Sequence, residues 1–129
     1  MQGLTDEPLN EEGIAQAGLM HDLLENVQFD YVYASLLKRA VKTAQIISGF
    51  HEENIIKDER IVEVNFGDYE LKPYKHLGLK MSAFWLLPEV ISAPESVESI
   101  EKIASRSFSF MKDVEHVGGE NVLIVCHGG

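Results

Sequence analysis

The sequence is poor in cysteine and in basic residues, and it has no long apolar run. One cysteine among 129 residues excludes an internal disulfide framework and is typical of the reducing cytoplasm. Eleven Lys and Arg residues against 21 Asp and Glu residues give a net charge of -10, which argues against a nucleic-acid partner because such a partner requires a basic surface. No apolar stretch approaches the length of a membrane-spanning helix, and the polar N-terminus has no secretory-signal pattern.

The rest of the composition is that of an ordinary globular domain. The chain is 45% hydrophobic and 25% charged, which argues against wholesale disorder, and 129 residues are enough to bury a core. There are no internal repeats, low-complexity tracts or linkers. We therefore expect one domain over residues 1–129.

An uninterrupted apolar run, residues 122–125, precedes Cys126, His127, Gly128 and Gly129. Such a run predicts a strand buried on both faces, inside a parallel sheet. Functional groups in these sheets gather just beyond the carboxyl ends of the strands. A histidine there, followed by glycines whose backbone N–H groups can approach an anion, suits phosphate binding by His127 and Gly128.

The remaining sequence alternates between helical and strand patterns. Asn10 is a candidate N-cap for a first helix, and Ser35 is a candidate cap for a second. This alternation predicts an α/β fold, with a mainly parallel sheet and helices on both faces. The expected order is a helix to about residue 26, a strand at 31–34, a helix at 36–49, a strand at 55–57, a loop at 58–72, a small cap at about 73–94, a helix from Pro94 to about residue 117 and a strand at 121–126.

Three residues at element ends are candidates for chemistry. Arg39 lies in the first turns of a helix that leaves a strand, which places a guanidinium beside a helix N-terminus. Glu63 is flanked by apolar residues, and partial burial would favour its neutral acid and let it act as a general acid. His127 ends the last strand.

Each candidate has a structural alternative. Arg39 could be a salt-bridging helix residue, and Glu63 could simply be exposed. Cys126 and His127 could form a nucleophile–base pair, but adjacent strand residues point to opposite faces, so a packed core thiol is expected. The other histidines, at positions 21, 51, 76 and 116, show no metal-ligand spacing, and no metal is assigned.

The order of these residues resembles the histidine phosphatase superfamily, the phosphoglycerate mutase-like enzymes. The resemblance covers essentially the whole chain. The matching positions are Gln2-Gly3, Asp6, Pro8-Leu9, Gly13, residues 33–40 with Thr43-Ala44, Glu63, Phe66-Gly67, Glu70, Glu95-Ser96, Arg106 and His127-Gly128-Gly129.

The resemblance implies phosphoryl transfer in two steps through a phosphohistidine, with a small phosphorylated metabolite as substrate and no cofactor. Arg39 would clamp the phosphate oxygens, and His127 would be the second histidine, which binds the equatorial oxygens. Glu63 would protonate the leaving oxygen and later deprotonate water. Gln2 and Gly3 match a turn that contacts phosphate or substrate.

The sequence departs from the family pattern at both ends. The family's Arg-His-Gly nucleophile segment lies about a dozen residues before the Gln-Gly turn, and here Met1 stands directly before Gln2. We therefore expect a chain truncated at both ends, without the first strand and the C-terminal helix and strand, and inactive on its own. Its open sheet edge predicts self-association. A phosphomonoester hydrolase is favoured; a phosphoglycerate mutase-type enzyme and a non-catalytic phosphate-binding fragment remain alternatives.

Overall fold

The computed structural model describes residues 2–73, 76–88 and 90–128. Tyr74 of the expected cap and Gly129 of the terminal motif lie outside these residues. Seven main elements follow one another: α1 (Glu11–Leu23), β1 (Tyr31–Ala34), α2 (Lys38–Ser48), β2 (Ile56–Lys57), α3 (Gly78–Leu86), α4 (Ile100–Val114) and β3 (Val122–Val125). Among the described residues, no helix combines the length and the apolar character needed to cross a bilayer.

The three strands form one parallel sheet in the order β2-β1-β3. Tyr33 of β1 pairs with Ile56 of β2 on one side and with Ile124 of β3 on the other. This parallel sheet between helices confirms the predicted α/β fold. It also brings the carboxyl ends of all three strands to one edge, where ligand-binding residues of such folds gather.

The sheet is covered on both faces, as successive side chains of β1 alternate between them. Val32 and Ala34 pack with α2, whereas Tyr33 packs with Phe110 of α4. The Tyr33 and Phe110 rings meet edge to face, with centroids 5.5 Å apart. A third cluster lies beside the sheet and joins α3 to the preceding loop: Val64, Phe66, Leu77, Met81, Phe84 and Val97.

Helix α1 begins as predicted, but α2 does not. Asn10 caps α1 by accepting a hydrogen bond from Gly13 N–H at 2.8 Å. Helix α2 begins at Lys38, and its first N–H donates to the Asp6 carboxylate at 2.8 Å. The predicted cap at Ser35 is therefore wrong: Leu37 is the N-cap residue, and Ser35 Oγ accepts from Leu37 N–H, at 3.4 Å, before the helix begins.

Helix α4 begins six residues later than predicted. Its N-cap is Ser99, whose hydroxyl accepts from Lys102 N–H, and not a residue of the Pro94–Ser96 segment. That segment forms a turn, in which Val97 N–H donates to the Pro94 carbonyl at 2.8 Å, and Ser96 packs directly on Gly67. A Cβ at Gly67 would lie 2.0 Å from the Ser96 carbonyl oxygen, and the φ of +50° also favours glycine there.

The prediction that β3 is buried on both faces is wrong. Within the described residues it pairs only with β1, and all four of its residues are half-buried. Because the Asn121 and Val125 carbonyls accept hydrogen bonds from Asp30 and Ser35, the backbone groups of the alternate residues Val122 and Ile124 point away from β1. An apolar run thus forms an edge strand with one open side.

Candidate active site

The ends of β1 and β3 bring Ser35 and His127 together. Ser35 follows β1 directly and is fully buried, and its N–H continues the ladder by donating to the Val125 carbonyl at 3.0 Å. Two residues after Val125, the His127 ring reaches back, so that Nε2 lies 2.8 Å from Ser35 Oγ. The register of two parallel strands therefore sets the position of the imidazole.

Arg39 lies beside this pair, in the first turn of α2. Its Nη1 donates to the Thr5 carbonyl at 2.8 Å and its Nη2 to the Gly3 carbonyl at 2.9 Å. Arg39 and His127 line the same small pocket of about 160 Å³, together with Leu9, Ala40, Thr43, Val125 and Cys126. A guanidinium has five N–H donors, so two bonds to carbonyls leave three for a ligand.

Glu70 holds the turn that carries the Gly3 and Thr5 carbonyls. Its carboxylate accepts from Leu4 N–H at 2.8 Å, from Thr5 N–H at 3.0 Å and from the Thr5 hydroxyl at 2.7 Å. Burial by itself raises the pKa of Glu70, but these hydrogen bonds and one from Phe66 lower it, and the net pKa lies below its ordinary value of 4.5. Glu70 is therefore ionised at neutral pH.

Glu63 lies in the loop that follows β2 and is half-buried. Its Oε1 accepts from the N–H of the next residue, Val64, at 2.9 Å, and Val64 is anchored in the cluster beside the sheet. Glu63 lines a polar pocket of about 300 Å³ with Leu4, Asn65, Glu95, Ser96, Val97, Glu98 and Lys102. Leu4, from the turn that Glu70 holds, contributes to the wall of this pocket.

Arg106 braces the chain segment that carries Glu63. From α4, its Nη1 donates to the carbonyls of Arg60 at 2.7 Å and Val62 at 2.8 Å. Its Nε and Nη2 make a bidentate pair with Glu98, at 2.9 and 3.0 Å. The sequence pattern placed Arg106 in a matching segment but did not single it out, because nothing in a helical arginine reveals that it caps a distant loop.

The pKa of His127 depends on its burial and on charged side chains. Burial lowers the pKa of the His127 imidazole below its ordinary value of 6.5; the positive charges of Arg39 and Arg106 also lower it, and the negative charge of Glu63 acts in the opposite direction. Of the three candidates, Arg39 and His127 line one pocket and Glu63 lines another. The imidazole is predominantly neutral at pH 7 in the absence of an anion.

The other sequence candidates lie around this centre. Gln2 is exposed, and its carbonyl accepts from Thr5 N–H at 3.2 Å within the turn. Gly128 is exposed, with open space where a side chain would begin. The expected core thiol at Cys126 is wrong: the residue is exposed because β3 is an edge strand.

No metal-binding cluster is present among residues 2–73, 76–88 and 90–128. His21 and His116 contact backbone carbonyls of helices, Ile47 O at 3.0 Å and Lys112 O at 2.6 Å. His51 and His76 are exposed. All five histidines are described, and His127 alone lines the pocket with Arg39.

The fold is an α/β fold with a polar site at the carboxyl ends of its parallel strands. The family model of the histidine phosphatase superfamily (branch 1) matches residues 1–129, and the chain belongs to that superfamily.

Particular relatives share about a third of the residues. The chain is 36% identical over 131 residues to a protein of Hydrogenobacter thermophilus named putative phosphoserine phosphatase 2, covering 99% of this chain and 64% of that protein. It is 35% identical over 138 residues to phosphoglycerate mutase of Schizosaccharomyces pombe, covering 98% and 65%. The structure of YhfR from Bacillus stearothermophilus superposes with a TM-score of 0.88 at 33% identity, covering 99% and 65%. The chain thus spans just under two thirds of the length of these relatives.

Proposed function

We propose that the chain is part of a parent protein that is a phosphomonoester hydrolase and works through a phosphohistidine. The observation that carries the proposal is that Arg39 and His127 line one small pocket: the guanidinium is held by the Gly3 and Thr5 carbonyls, and the imidazole lies 2.8 Å from Ser35 Oγ. Such a set suits an anion whose charge is spread over several oxygens.

Arg39 has the role of phosphate clamp. Its plane is fixed by the Gly3 and Thr5 carbonyls, and its free N–H groups can donate to two oxygens of a phosphoryl group. His127 lines the same small pocket. A phosphate dianion there raises the pKa of His127, so the ring becomes a cation when the ligand binds.

Glu63 has the role of general acid and base. In the first step a histidine nitrogen bonds to phosphorus while the bond to the leaving oxygen breaks, and Glu63 gives its proton to that oxygen. In the second step water attacks phosphorus, the bond to histidine breaks, and Glu63 takes the proton of the water. The braced loop next to Arg106 supports this role because a general acid must hold its distance to the reacting oxygen.

The substrate class is a small phosphorylated metabolite. A relative named for phosphoserine supports a compact phosphomonoester. We propose that the chain at about residues 73–94, which includes α3, is the cap of a single domain and forms one wall of the substrate cleft. A single cysteine supports a cytoplasmic location.

A mutase is the second candidate because a relative of 35% identity bears that name. Against it, the segment between Gly67 and Glu95 is short, whereas resemblance to the glycolytic mutases calls for a longer insertion there. An assay of the parent protein with a phosphorylated acid and an acceptor hydroxyl separates the two: a hydrolase releases inorganic phosphate, and a mutase returns an isomer.

The 129 residues on their own are proposed to bind phosphate without turnover. Of the five histidines, His127 is assigned to the second position, and the other four lie outside its pocket, so no side chain is left for the covalent step. Purified protein should not hydrolyse para-nitrophenyl phosphate, and inorganic phosphate should raise its melting temperature. Turnover that is abolished by His127→Ala would overturn the inactivity, and the absence of any phosphate effect would favour a fragment without function.

We propose that the open edge of β3 drives self-association. Helix α4 carries an apolar stripe at Ile100, Phe108 and Met111, with 43%, 73% and 46% of each residue exposed. Arg60 follows β2 and contacts Ser109 and Asp113 on the opposite side of α4. Because β2 and β3 are the two outer strands, the stripe lies on the β3 side of α4. A strand edge beside an apolar stripe is a surface that a second copy can cover.

A further inference from the structure

We propose that Glu70 is a positioning residue for the phosphate site: its carboxylate fixes the turn at residues 3–5, and the carbonyl groups of that turn orient the Arg39 guanidinium toward the bound phosphoryl group. The inference rests on the proposed function, because phosphate binding by Arg39 is what the turn serves. It adds a residue that does not line the pocket shared by Arg39 and His127.

The contacts form one chain from Glu70 to Arg39. Both carboxylate oxygens are used: Oε1 accepts from Leu4 N–H, and Oε2 accepts from the N–H and the hydroxyl of Thr5. Thr5 in turn contacts Arg39, because its carbonyl accepts a hydrogen bond from Arg39 Nη1 at 2.8 Å. Thr5 thus donates its N–H and hydroxyl to Glu70 and accepts from Arg39 at its carbonyl.

Gly3 gives the second link between Glu70 and Arg39. A Cβ at this position would lie 2.3 Å from Glu70 Oε1, so the carboxylate packs directly on the glycine backbone. Its φ of +56° favours glycine and turns the chain there. The Gly3 carbonyl receives Arg39 Nη2 at 2.9 Å. Both carbonyls that hold the guanidinium therefore belong to residues in contact with Glu70.

The charge of Glu70 matters as much as its shape. An ionised carboxylate accepts all three hydrogen bonds at once, whereas an amide of the same size offers one acceptor oxygen and a donor that faces backbone N–H groups. Glu70→Gln therefore breaks part of the turn while it conserves volume. Arg39 loses its fixed plane, and phosphate must then order a mobile side chain when it binds.

Asp30 offers a matched control at the other end of the sheet. Its Oδ2 accepts from Glu120 N–H at 2.7 Å and from Asn121 N–H at 2.9 Å, just before β3. These bonds lower the pKa of Asp30, as the bonds to Glu70 lower the pKa of that residue. Asp30→Asn removes a carboxylate with the same backbone-holding role at a place remote from Arg39.

The experiment measures inorganic phosphate affinity by calorimetry in the wild type, Glu70→Gln and Asp30→Asn. Glu70→Gln should weaken binding about tenfold, the loss of roughly one charge-assisted hydrogen bond, and Asp30→Asn should leave it unchanged. In an Arg39→Met background, Glu70→Gln should cause no further loss, because its effect passes through the missing guanidinium. An equal loss in both backgrounds, or none in either, would overturn the inference.

A readout without ligand separates this inference from the proposed function. The chain has three arginines, so the Arg39 guanidinium signals can be assigned by NMR. In the wild type and Asp30→Asn, the two bonded Nη groups should rotate slowly and give separate signals, and in Glu70→Gln these should merge. If the wild type binds no phosphate, the proposed function fails, and the Arg39 signals alone decide the role of Glu70.

Variants of Thr5 test the same contact if Glu70→Gln does not fold. Thr5→Ser retains the hydroxyl that donates to Glu70 at 2.7 Å and should bind phosphate like the wild type. Thr5→Val conserves the volume of the side chain but lacks the donor and should weaken binding about fivefold. Equal affinity in these two folded variants would contradict a role for the Glu70 contact.

Discussion

His127 Nε2 lies 2.8 Å from the hydroxyl of Ser35, across the pairing of β3 with β1. His127 follows β3, an edge strand that is open on one side, whereas Ser35 is fully buried just after the central strand β1. The buried Ser35 hydroxyl after β1 therefore orients the His127 ring after β3. This makes the position of His127 a property of the sheet register and not of the terminal loop.

Ser35→Ala should release the His127 ring. The lost hydrogen bond costs about 1 kcal/mol, which corresponds to about fivefold weaker phosphate binding, with a similar loss in the free energy of unfolding. Calorimetric titration of inorganic phosphate measures the first and urea unfolding the second. Ser48→Ala is the control because its hydroxyl bonds within and just after α2, to Ala44 and Phe50; phosphate affinity should then be unchanged. Tight binding by Ser35→Ala would show that the contact does not orient the ring.

The stability of the fold should depend on the protonation of His127. Burial and the charge of Arg39 lower its pKa in the folded state below 6.5, so the unfolded chain binds this proton more readily. The free energy of unfolding should therefore fall as the pH drops from 6.5 toward the folded-state pKa, and it should level off below that value. His127→Gln should lack this component when urea unfolding is compared across the range.

Phosphate should reverse the direction of that shift. An anion beside the imidazole favours its charged form, so NMR titration of His127 should give a higher pKa with phosphate than without it. A His127 pKa that is unchanged by saturating phosphate would place the anion elsewhere.

Arg106→Met should be among the most destabilising single changes in the chain. It leaves Glu98 without its partner, and only 16% and 10% of the two side chains are exposed, so the cost is about 3–5 kcal/mol. Arg106→Met with Glu98→Met should recover much of the stability, because the buried charge is then removed. If the double variant is no more stable than Arg106→Met, the loss comes from the unbraced backbone at Arg60 and Val62 and not from the charge.

Self-association should be weakened by a charge on the α4 stripe. Phe108→Lys places a cation on the surface beside the β3 edge, and sedimentation velocity should show a smaller fraction of dimers or larger species than for the wild type. Leu86→Lys is the control, since Leu86 is 79% exposed on α3, away from that edge. A wild-type chain that is monomeric at high concentration would contradict the prediction.

The sequence pattern located the elements well wherever a local rule determines them. Asn10 capped the predicted helix because a capping side chain acts within three residues of its own position. The Tyr31–Ala34 strand and the parallel sheet followed from the alternation of elements. The predicted cap at Ser35 was wrong because distant residues determine this end of α2. The Ser35 hydroxyl bonds to His127, 92 residues away, and the Asp6 carboxylate accepts from the first N–H of α2.

The local sequence pattern also did not predict how deeply β3 and Cys126 are buried. Val122–Val125 reads as a doubly covered strand, yet its burial depends on which strands pair beside it, and that depends on the whole sheet. The exposure of Cys126 follows from the same cause. Likewise, Glu70 and Arg106 entered only as matches to a family pattern, because Thr5 lies 65 residues from Glu70 and Val62 lies 44 residues from Arg106.

Phosphate titration followed at Arg39 and His127 by NMR tests the convergence of these groups most directly. We expect both sets of side-chain signals to shift with one common dissociation constant, and Arg39→Met to move the response of His127 to higher phosphate concentrations. Signals that stay fixed in a folded protein, or that saturate at different phosphate concentrations, would mean that the two side chains do not share an anion.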